Sequence, residues 1–415
     1  MSIQQIDGGV CAAKGFQAAS CAAGMRKHGR TDMAMIYSTA PCQVAGTFTS
    51  NVVKAAPVLW DRKIVSEGTL AQALVVNSGI ANAATGEEGL WLCRESAEAA
   101  GAALGLDPGA VLLGSTGVIG PNLPMDKMTY GIQTMAKTLE ASPEAATAAS
   151  KAIMTTDTVN KERAVAFELP AAEGEQPVTV HLGGMSKGSG MIHPNMCTML
   201  AYLTTDCAID GQLLQRMTRR VVADTFNMIT VDGDTSTNDT LLVLANGMAG
   251  NALITEEGEE SALFEEALGV VCKALAIQMA ADGEGATHLI ETQVIGADTK
   301  EHAKTLAKSV VGSSLVKAMV YGKDANCGRI LCALGYAGVE FDPAVIEVYM
   351  EEGEERICFY REGHILSFDE EKALTMLSRK AVRFLCDMKM GPAEATAWGC
   401  DLTYDYVKIN GDYRT

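Results

Sequence analysis

Along the chain, short apolar runs alternate with longer stretches in which apolar residues recur at helical spacing. Ala73-Leu74-Val75-Val76 reads as a buried strand that stops at Asn77-Ser78-Gly79, a turn signal. A helix rich in Ala and Glu is predicted over 87–104. The run Val111-Leu112-Leu113 ends in Gly114-Ser115-Thr116-Gly117, and residues 126–139 are helical again. Residues 163–169 and 178–182 read as a hairpin around an acidic, Gly-containing turn. Beyond residue 198 the spacing predicts strands over 199–203 and 241–244 and a helix over 212–225. A helix over 259–281 follows, its acidic first turns suited to the helix dipole. Strands near 290–294, 345–349, 356–360 and 382–388, with helices between them, complete the pattern. This order implies an α/β (α+β) chain, a layered sandwich of mixed β-sheets and helices.

Composition narrows the class. The 415 residues are 48 % hydrophobic and 20 % charged, which supplies an ordinary globular core and excludes a disordered or fibrous chain. The formal net charge of −18 argues against binding nucleic acid or an anionic membrane surface, since both need clustered Lys and Arg. No segment has the roughly eighteen uninterrupted apolar residues of a membrane span, and the first thirty residues do not form a secretory signal. A cytoplasmic location is expected. The twelve cysteines contain no C-x-x-C pair, so they read as buried thiols in a reducing compartment rather than as a metal site. Asp232-Gly233-Asp234 with Asn238-Asp239 partly resembles a calcium loop, but the distal bidentate Glu is missing. It reads as a turn or a site wall.

The candidate chemistry lies in residues 182–206, LGGMSKGSGMIHPNMCTMLAYLTTD. Gly183 to Gly190 holds four Gly and two Ser among eight residues, so its backbone reaches conformations closed to other residues. His193-Pro194-Asn195 then tightens the chain before an apolar strand headed by Thr198. A strained loop of this kind can press a Thr hydroxyl against the preceding carbonyl. The acyl group then shifts from nitrogen to oxygen, and water cleaves the ester. The freed α-amine, with an intrinsic pKa of about 7.7–8.0, can act as general base for its own hydroxyl. Taken alone, the loop also fits a surface loop or a phosphate cradle, although the G-x-x-x-x-G-K-[ST] order is not met. The Gly114–Gly117 turn fits an oxyanion hole built on consecutive N–H groups of Thr116 and Gly117, worth about 2.7–4 kcal/mol per donor, and equally a plain strand-to-loop turn. His193 alone reads as a turn or core histidine.

The motifs, taken in order, resemble one family. They are Gly8-Gly9-Val10, Lys14-Gly15-Phe16, Ala22-Ala23-Gly24, Thr49-Ser50-Asn51, Lys54-Ala55-Ala56-Pro57-Val58, Asn77-Ser78-Gly79 and Ala81-Asn82-Ala83. Gly114–Gly117, Met154-Thr155-Thr156-Asp157-Thr158, Lys187-Gly188-Ser189-Gly190-Met191-Ile192-His193-Pro194-Asn195-Met196 and the closing stretch from Trp398 to Asn410 follow. Together they resemble the glutamate N-acetyltransferases of the ornithine acetyltransferase type, which recycle acetyl groups in arginine biosynthesis and cleave themselves.

The resemblance implies an alpha chain of residues 1–197 and a beta chain of 198–415, cut between Cys197 and Thr198. Thr198 would be the nucleophile of an acetyl-enzyme, and Thr116 and Gly117 its oxyanion hole. Thr155, Thr156, Lys187, Thr198, Glu284, Asn410 and Thr415 would hold substrate, Lys187 as partner of an α-carboxylate and Glu284 of an ammonium. Acetyl would pass from N2-acetyl-L-ornithine to L-glutamate. No cofactor is implied, and acetyl-CoA enters only as a second acetyl donor. The implied partners are small amino acids and a heterotetramer of two alpha and two beta chains. The chain departs from the family at Cys197, where relatives usually have Ala, which bears on the rate and completeness of cleavage. Two other functions fit the loop: a self-processing aminopeptidase or amidase using the same Thr, and a non-catalytic amino-acid-binding protein.

Overall fold

The computed structural model describes residues 2–174, 176–193 and 199–412. It divides into two compact units. The first comprises residues 1–188, 194–227 and 235–276, and the second 189–193, 228–234 and 277–415.

Strands and helices are numbered along the whole chain. The first unit contains β1 (Gln4–Ile6), β2 (Phe16–Cys21), β3 (Met33–Phe48), β4 (Ala71–Asn77), β5 (Ile80–Ala81), β6 (Val111–Ser115), β7 (Val118–Ile119), β8 (Lys161–Leu169), β9 (Val178–Lys187) and β10 (Leu200–Thr205). After β11 (Ile229–Thr230), which belongs to the second unit, it adds β12 (Thr240–Ala245). Among the described residues these form a mixed sheet in the order β1-β8-β9-β10-β12-β3-β4-β6, with β2 also paired to β3 and a separate β5–β7 ladder. Its helices are α1 (Ala56–Glu67), α2 (Gly86–Leu104), α3 (Met125–Ala136), α4 (Pro143–Ala152), α5 (Gly211–Asp224) and the start of α6 (Glu259–Ala281).

Period-two alternation assigns the two faces of this sheet. Ala34, Ile36, Leu74, Val76 and Leu112 pack with Tyr202 and with Ala146 and Ala149 of α4. Their neighbours Met33, Met35, Ala73, Val75, Val111 and Leu113 pack on the other side with Leu92 and Ala97 of α2 and Ile132 and Met135 of α3. With both faces covered, the strands read as continuous apolar runs. Helix, sheet and helix thus make the layered sandwich expected from sequence. Asp210 caps α5 by accepting from the N–H groups of Gln212 and Leu213, which fixes the start of that helix one residue before the expected 212.

The second unit holds β13 (Leu289–Ala297), β14 (Glu347–Glu352), β15 (Glu355–Arg361), β16 (His364–Ile365), β17 (Ala381–Asp387) and β18 (Ala393–Cys400), in the order β11-β18-β13-β17-β14-β15-β16. Its helices are α7 (Lys300–Gly312), α8 (Ser314–Gly322), α9 (Cys327–Gly335), α10 (Glu370–Leu377) and α11 (Tyr404–Gly411). Ala303, Leu306 and Val310 of α7 and Ile290 and Val294 of β13 are all fully buried. No described helix is long and apolar enough to cross a membrane.

The expected cut between residues 197 and 198 is not a boundary between these units. It falls on the link between β9 and β10, which pair antiparallel from Leu200 opposite Lys187 to Thr205 opposite Leu182. Backbone ladder bonds on either side of the link would therefore hold two fragments together after a cut.

Candidate active site

Two turns build the expected oxyanion site. Ser115 Oγ accepts from the Asn82 N–H at 2.9 Å and donates to the Ile80 carbonyl at 3.1 Å. The Val118 N–H donates to the Gly79 carbonyl at 3.1 Å, and β5 and β7 pair in parallel beyond it. The 77–82 and 114–119 segments are thus laid together, a reason for both motifs to be rich in Gly, Ser and Asn. Gly117 has φ of +132°, and a Cβ there would stand 2.2 Å from the Gly79 carbonyl carbon. Only glycine fits.

One expectation about this turn needs correction. The Thr116 N–H is not exposed for a ligand, because it donates to the Asn77 carbonyl at 3.1 Å. What Thr116 offers in place of that N–H is its hydroxyl, which the Lys187 ammonium approaches to 3.5 Å.

Asp157 organises the next group of residues. It accepts from the Thr155 N–H at 2.9 Å, the Gly188 N–H at 2.7 Å and the Lys161 ammonium at 2.7 Å. One carboxylate so joins the Met154–Thr158 motif, the start of β8 and the Gly-rich loop after Lys187. Burial pushes the Asp157 carboxyl up, but Lys187 and Lys161 outweigh it and hold the group well below the usual carboxylate range. Arg26 donates to the carbonyls of Met154 at 2.6 Å and Thr155 at 3.1 Å, which pins the same motif from another direction. Thr155 and Thr156 are half-buried and Lys187 is buried. The sequence reading gave no role to Arg26 or to Asp157. The signal for Asp157 was an acid set between threonines and four residues before Lys161.

Asp157 and Lys161 bury their side chains completely. Removing one partner leaves an uncompensated charge in the interior, so Asp157→Ala should cost about 3–5 kcal/mol, read as a lower urea midpoint. The double replacement Asp157→Leu with Lys161→Met should recover only part of that loss, because the N–H groups of Thr155 and Gly188 lose their acceptor. Because the folded carboxyl titrates below its unfolded value, its stabilisation is fully present above the unfolded pKa of about 3.9 and fades only as pH falls through the folded value. The loss in Asp157→Ala should therefore be the same at pH 5 as at pH 7.

The second unit holds a cluster of its own. Asn410, near the end of α11, donates to Glu284 Oε2 at 2.7 Å. The Glu284 N–H donates to the Ser189 carbonyl at 2.8 Å, and a Cβ on Gly190 would lie 2.3–2.5 Å from the Glu284 carboxyl group, so a side chain there would push that carboxyl aside. Thr403 caps α11 and donates to the Gly285 carbonyl at 2.8 Å. Glu284 itself is buried.

Asp232 is a clamp. Its oxygens accept from the N–H groups of Met191 at 2.6 Å and Ile192 at 2.9 Å and from the Tyr406 hydroxyl at 3.2 Å. Asp232 and Asp234 belong to the second unit and Asp239 to the first. His193 Nδ1 lies 3.0 Å from Thr230 Oγ1 beside β11, and burial, with Lys308 nearby, pushes its pKa down. It fits the turn histidine expected from sequence. Cys197, Thr198 and Thr415 lie outside the described residues.

Comparison with known proteins places these motifs. The model of the ArgJ family matches residues 17–415. The arginine biosynthesis bifunctional protein ArgJ of Symbiobacterium thermophilum is 49 % identical over 415 residues, the whole of both chains. ArgJ 1 of Clostridium acetobutylicum is 46 % identical over 400 residues, 96 % of each chain. A solved structure of ornithine acetyltransferase complexed with ornithine, from Mycobacterium tuberculosis, is 37 % identical with a TM-score of 0.42, covering 47 % of this chain and 99 % of that one. With a match running nearly from end to end and close to half its residues shared with full-length relatives, the chain belongs to the ArgJ family of arginine biosynthesis.

Proposed function

We propose that the chain moves the acetyl group of N2-acetyl-L-ornithine to L-glutamate through an acetyl ester on Thr198. The Thr198 hydroxyl attacks the acetyl carbonyl while its own α-amine takes the proton. The Thr116 hydroxyl and the Gly117 N–H receive the developing oxyanion. Ornithine leaves with the proton from that amine, and glutamate then attacks the ester by the reverse route. Lys187 binds the α-carboxylate common to both substrates. It can do so because the buried group of Lys161, Asp157 and Lys187 holds two positive charges against one negative. Thr155 and Thr156 line the same motif, and Glu284, oriented by Asn410, serves as the ammonium acceptor, with Thr415 as a further substrate contact. The supporting observation is the junction of the 77–82 and 114–119 turns, which spends the Thr116 N–H and leaves a hydroxyl and one N–H as donors.

The same reading takes the cut between Cys197 and Thr198, the assembly of two alpha and two beta fragments, and the cytoplasmic location from the family. Acetyl-CoA is a possible second donor for glutamate, and no cofactor enters the acetylornithine-dependent cycle. The test is incubation with acetylornithine, with and without glutamate. Acetylglutamate with little free acetate is expected. Free acetate formed at an equal rate without glutamate would instead favour an amidase using the same Thr. Enzyme labelling that needs both substrates at once would remove the two-step scheme.

A further inference from the structure

Arg26 has no part in the reaction as described so far, yet it stands between two motifs of the first unit. Its guanidinium forks onto two successive carbonyls, Nη1 donating to Met154 at 2.6 Å and Nη2 to Thr155 at 3.1 Å. The planar guanidinium presents its donors in a fixed fork, so the two carbonyls are held at a set angle to each other. The first of these peptide groups is held at its other end too, where the Thr155 N–H donates to Asp157 Oδ2 at 2.9 Å. Carbonyl and N–H point opposite ways across a trans peptide plane, so Arg26 and Asp157 together fix its orientation.

The stem of the same side chain lies against the other motif. A Cβ built on Gly79 would stand 2.8 Å from Arg26 Cγ. Gly79 is also the residue against which Gly117 packs, since a Cβ on Gly117 would reach 2.2 Å from the Gly79 carbonyl carbon. The backbone that carries Arg26 is anchored in turn. Asp32 is fully buried and accepts from the N–H groups of Ala23 at 2.7 Å, Met25 at 2.6 Å and Arg26 at 2.9 Å. The Asp32 carbonyl accepts from the Ser78 N–H at 2.8 Å, and the Ser78 hydroxyl donates to the Ala152 carbonyl at 2.7 Å, two residues before Met154. Two routes therefore join the 77–79 turn to the 154–158 motif, one through Ser78 and one through Arg26.

We propose that Arg26 is a positioning residue for acetyl transfer. Its guanidinium holds Thr155 and Thr156 in the shape that grips the amino-acid frame, and its stem braces Gly79 and, through it, the oxyanion turn. The inference rests on the proposed function, in which Thr155 and Thr156 hold substrate while Thr116 and Gly117 receive the acetyl oxygen. The two parts of the side chain then have separable effects. Loss of the guanidinium loosens a grip made equally in ground state and transition state, which raises KM. Loss of the stem frees the oxyanion turn, which acts in the transition state and lowers kcat.

The test uses full-length protein carrying Arg26→Met, Arg26→Lys or Arg26→Ala, assayed for acetylglutamate formation. Met keeps a long stem and removes the fork. Its KM for both acetylornithine and glutamate should rise about 10- to 100-fold, with kcat within about threefold of wild type. Lys puts one point donor in place of the fork and should raise KM about three- to tenfold. Ala removes fork and stem, so kcat should fall about tenfold below that of the Met variant while KM rises as it does there. A residue that merely tied the loop down would lower the melting temperature and leave this split unseen. A Met variant with KM within twofold of wild type overturns the proposal, and so does one whose kcat falls while KM holds. Equal kcat in the Met and Ala variants overturns it as well. If the Met variant does not fold, the Lys variant decides, and an unchanged KM there overturns the proposal. Wild type keeps the two ideas apart. Acetylglutamate made by wild type beside a Met variant of unchanged KM removes only the role of Arg26, whereas wild type that makes none removes the reaction on which that role rests.

Discussion

A Thr198→Ala chain is expected to run as one uncut band and to lose acetyl transfer by a factor on the order of a million, the scale on which removal of a nucleophile acts when base and oxyanion donors depend on it. The variant loses two things at once. Without a hydroxyl there is no acyl shift, so no free amine forms, and without the amine there is no base. Folding should be unaffected, because the cut falls on the link between β9 and β10, whose ladder forms in the uncut chain. Thr198→Ser, which keeps a hydroxyl, should cleave and retain measurable transfer. The readout is a denaturing gel beside the initial rate of acetylglutamate formation. Transfer near the wild-type rate in Thr198→Ala would remove the nucleophile from the account.

Gly117→Ala should have the next largest effect. A Cβ at this position would lie 2.2 Å from the Gly79 carbonyl carbon, 2.4 Å from its oxygen and 2.6 Å from the Ile80 nitrogen, all backbone atoms that cannot swing aside. Its φ of +132° is closed to alanine as well. The two stacked turns have to part, which moves both the Gly117 N–H and the Thr116 hydroxyl. A fall in kcat of about 100- to 1000-fold is expected, the usual cost of losing oxyanion contacts. Gly120→Ala separates strain from geometry. Gly120 also has a positive φ, +111°, but nothing lies within 4 Å of a Cβ there. It should lose about 1–3 kcal/mol of stability and keep its kcat. Equal losses of kcat in both variants would mean that strain alone, not the oxyanion turn, is being measured.

The sequence made the buried strands legible because both sheet faces of the first unit are covered. Ala73–Val76 and Leu241–Leu244 are apolar at every position, and both expected runs lie within observed strands, β4 and β12. β3 escaped notice for a physical reason. Its 16 residues are interrupted at Ser38–Pro41, and its halves serve different partners, Met33–Ser38 pairing with β2 and Gln43–Phe48 with β12. No uniform pattern runs along it. α1 escaped because its N-cap is Ala55, with no side-chain acceptor to mark the start. β18 is half alanine and glycine, residues depleted in strands, and is held in place by its ladder with β13. The strand expected over 345–349 begins two residues later, at Glu347.

At the site, motifs along the chain were legible and the through-space links were not. Nothing in the spacing of Glu284 and Asn410, 126 residues apart, foretells their hydrogen bond. The consecutive glycine and threonine at the turn suggested two backbone donors. Register decides otherwise: β4 and β6 pair in parallel, and the Thr116 N–H meets the Asn77 carbonyl just past the end of that ladder. Asp157 sits within a legible motif, yet its joining of Thr155, Lys161 and Gly188 depends on β8 and β9 lying side by side.

The most direct test is a mass analysis of the purified protein after brief exposure to N2-acetyl-L-ornithine without glutamate. Two polypeptides are expected, the second starting at Thr198 and carrying one acetyl group as an ester on that residue, which glutamate then removes as acetylglutamate. A single uncut chain, or an acetyl group found on any residue other than Thr198, would contradict it.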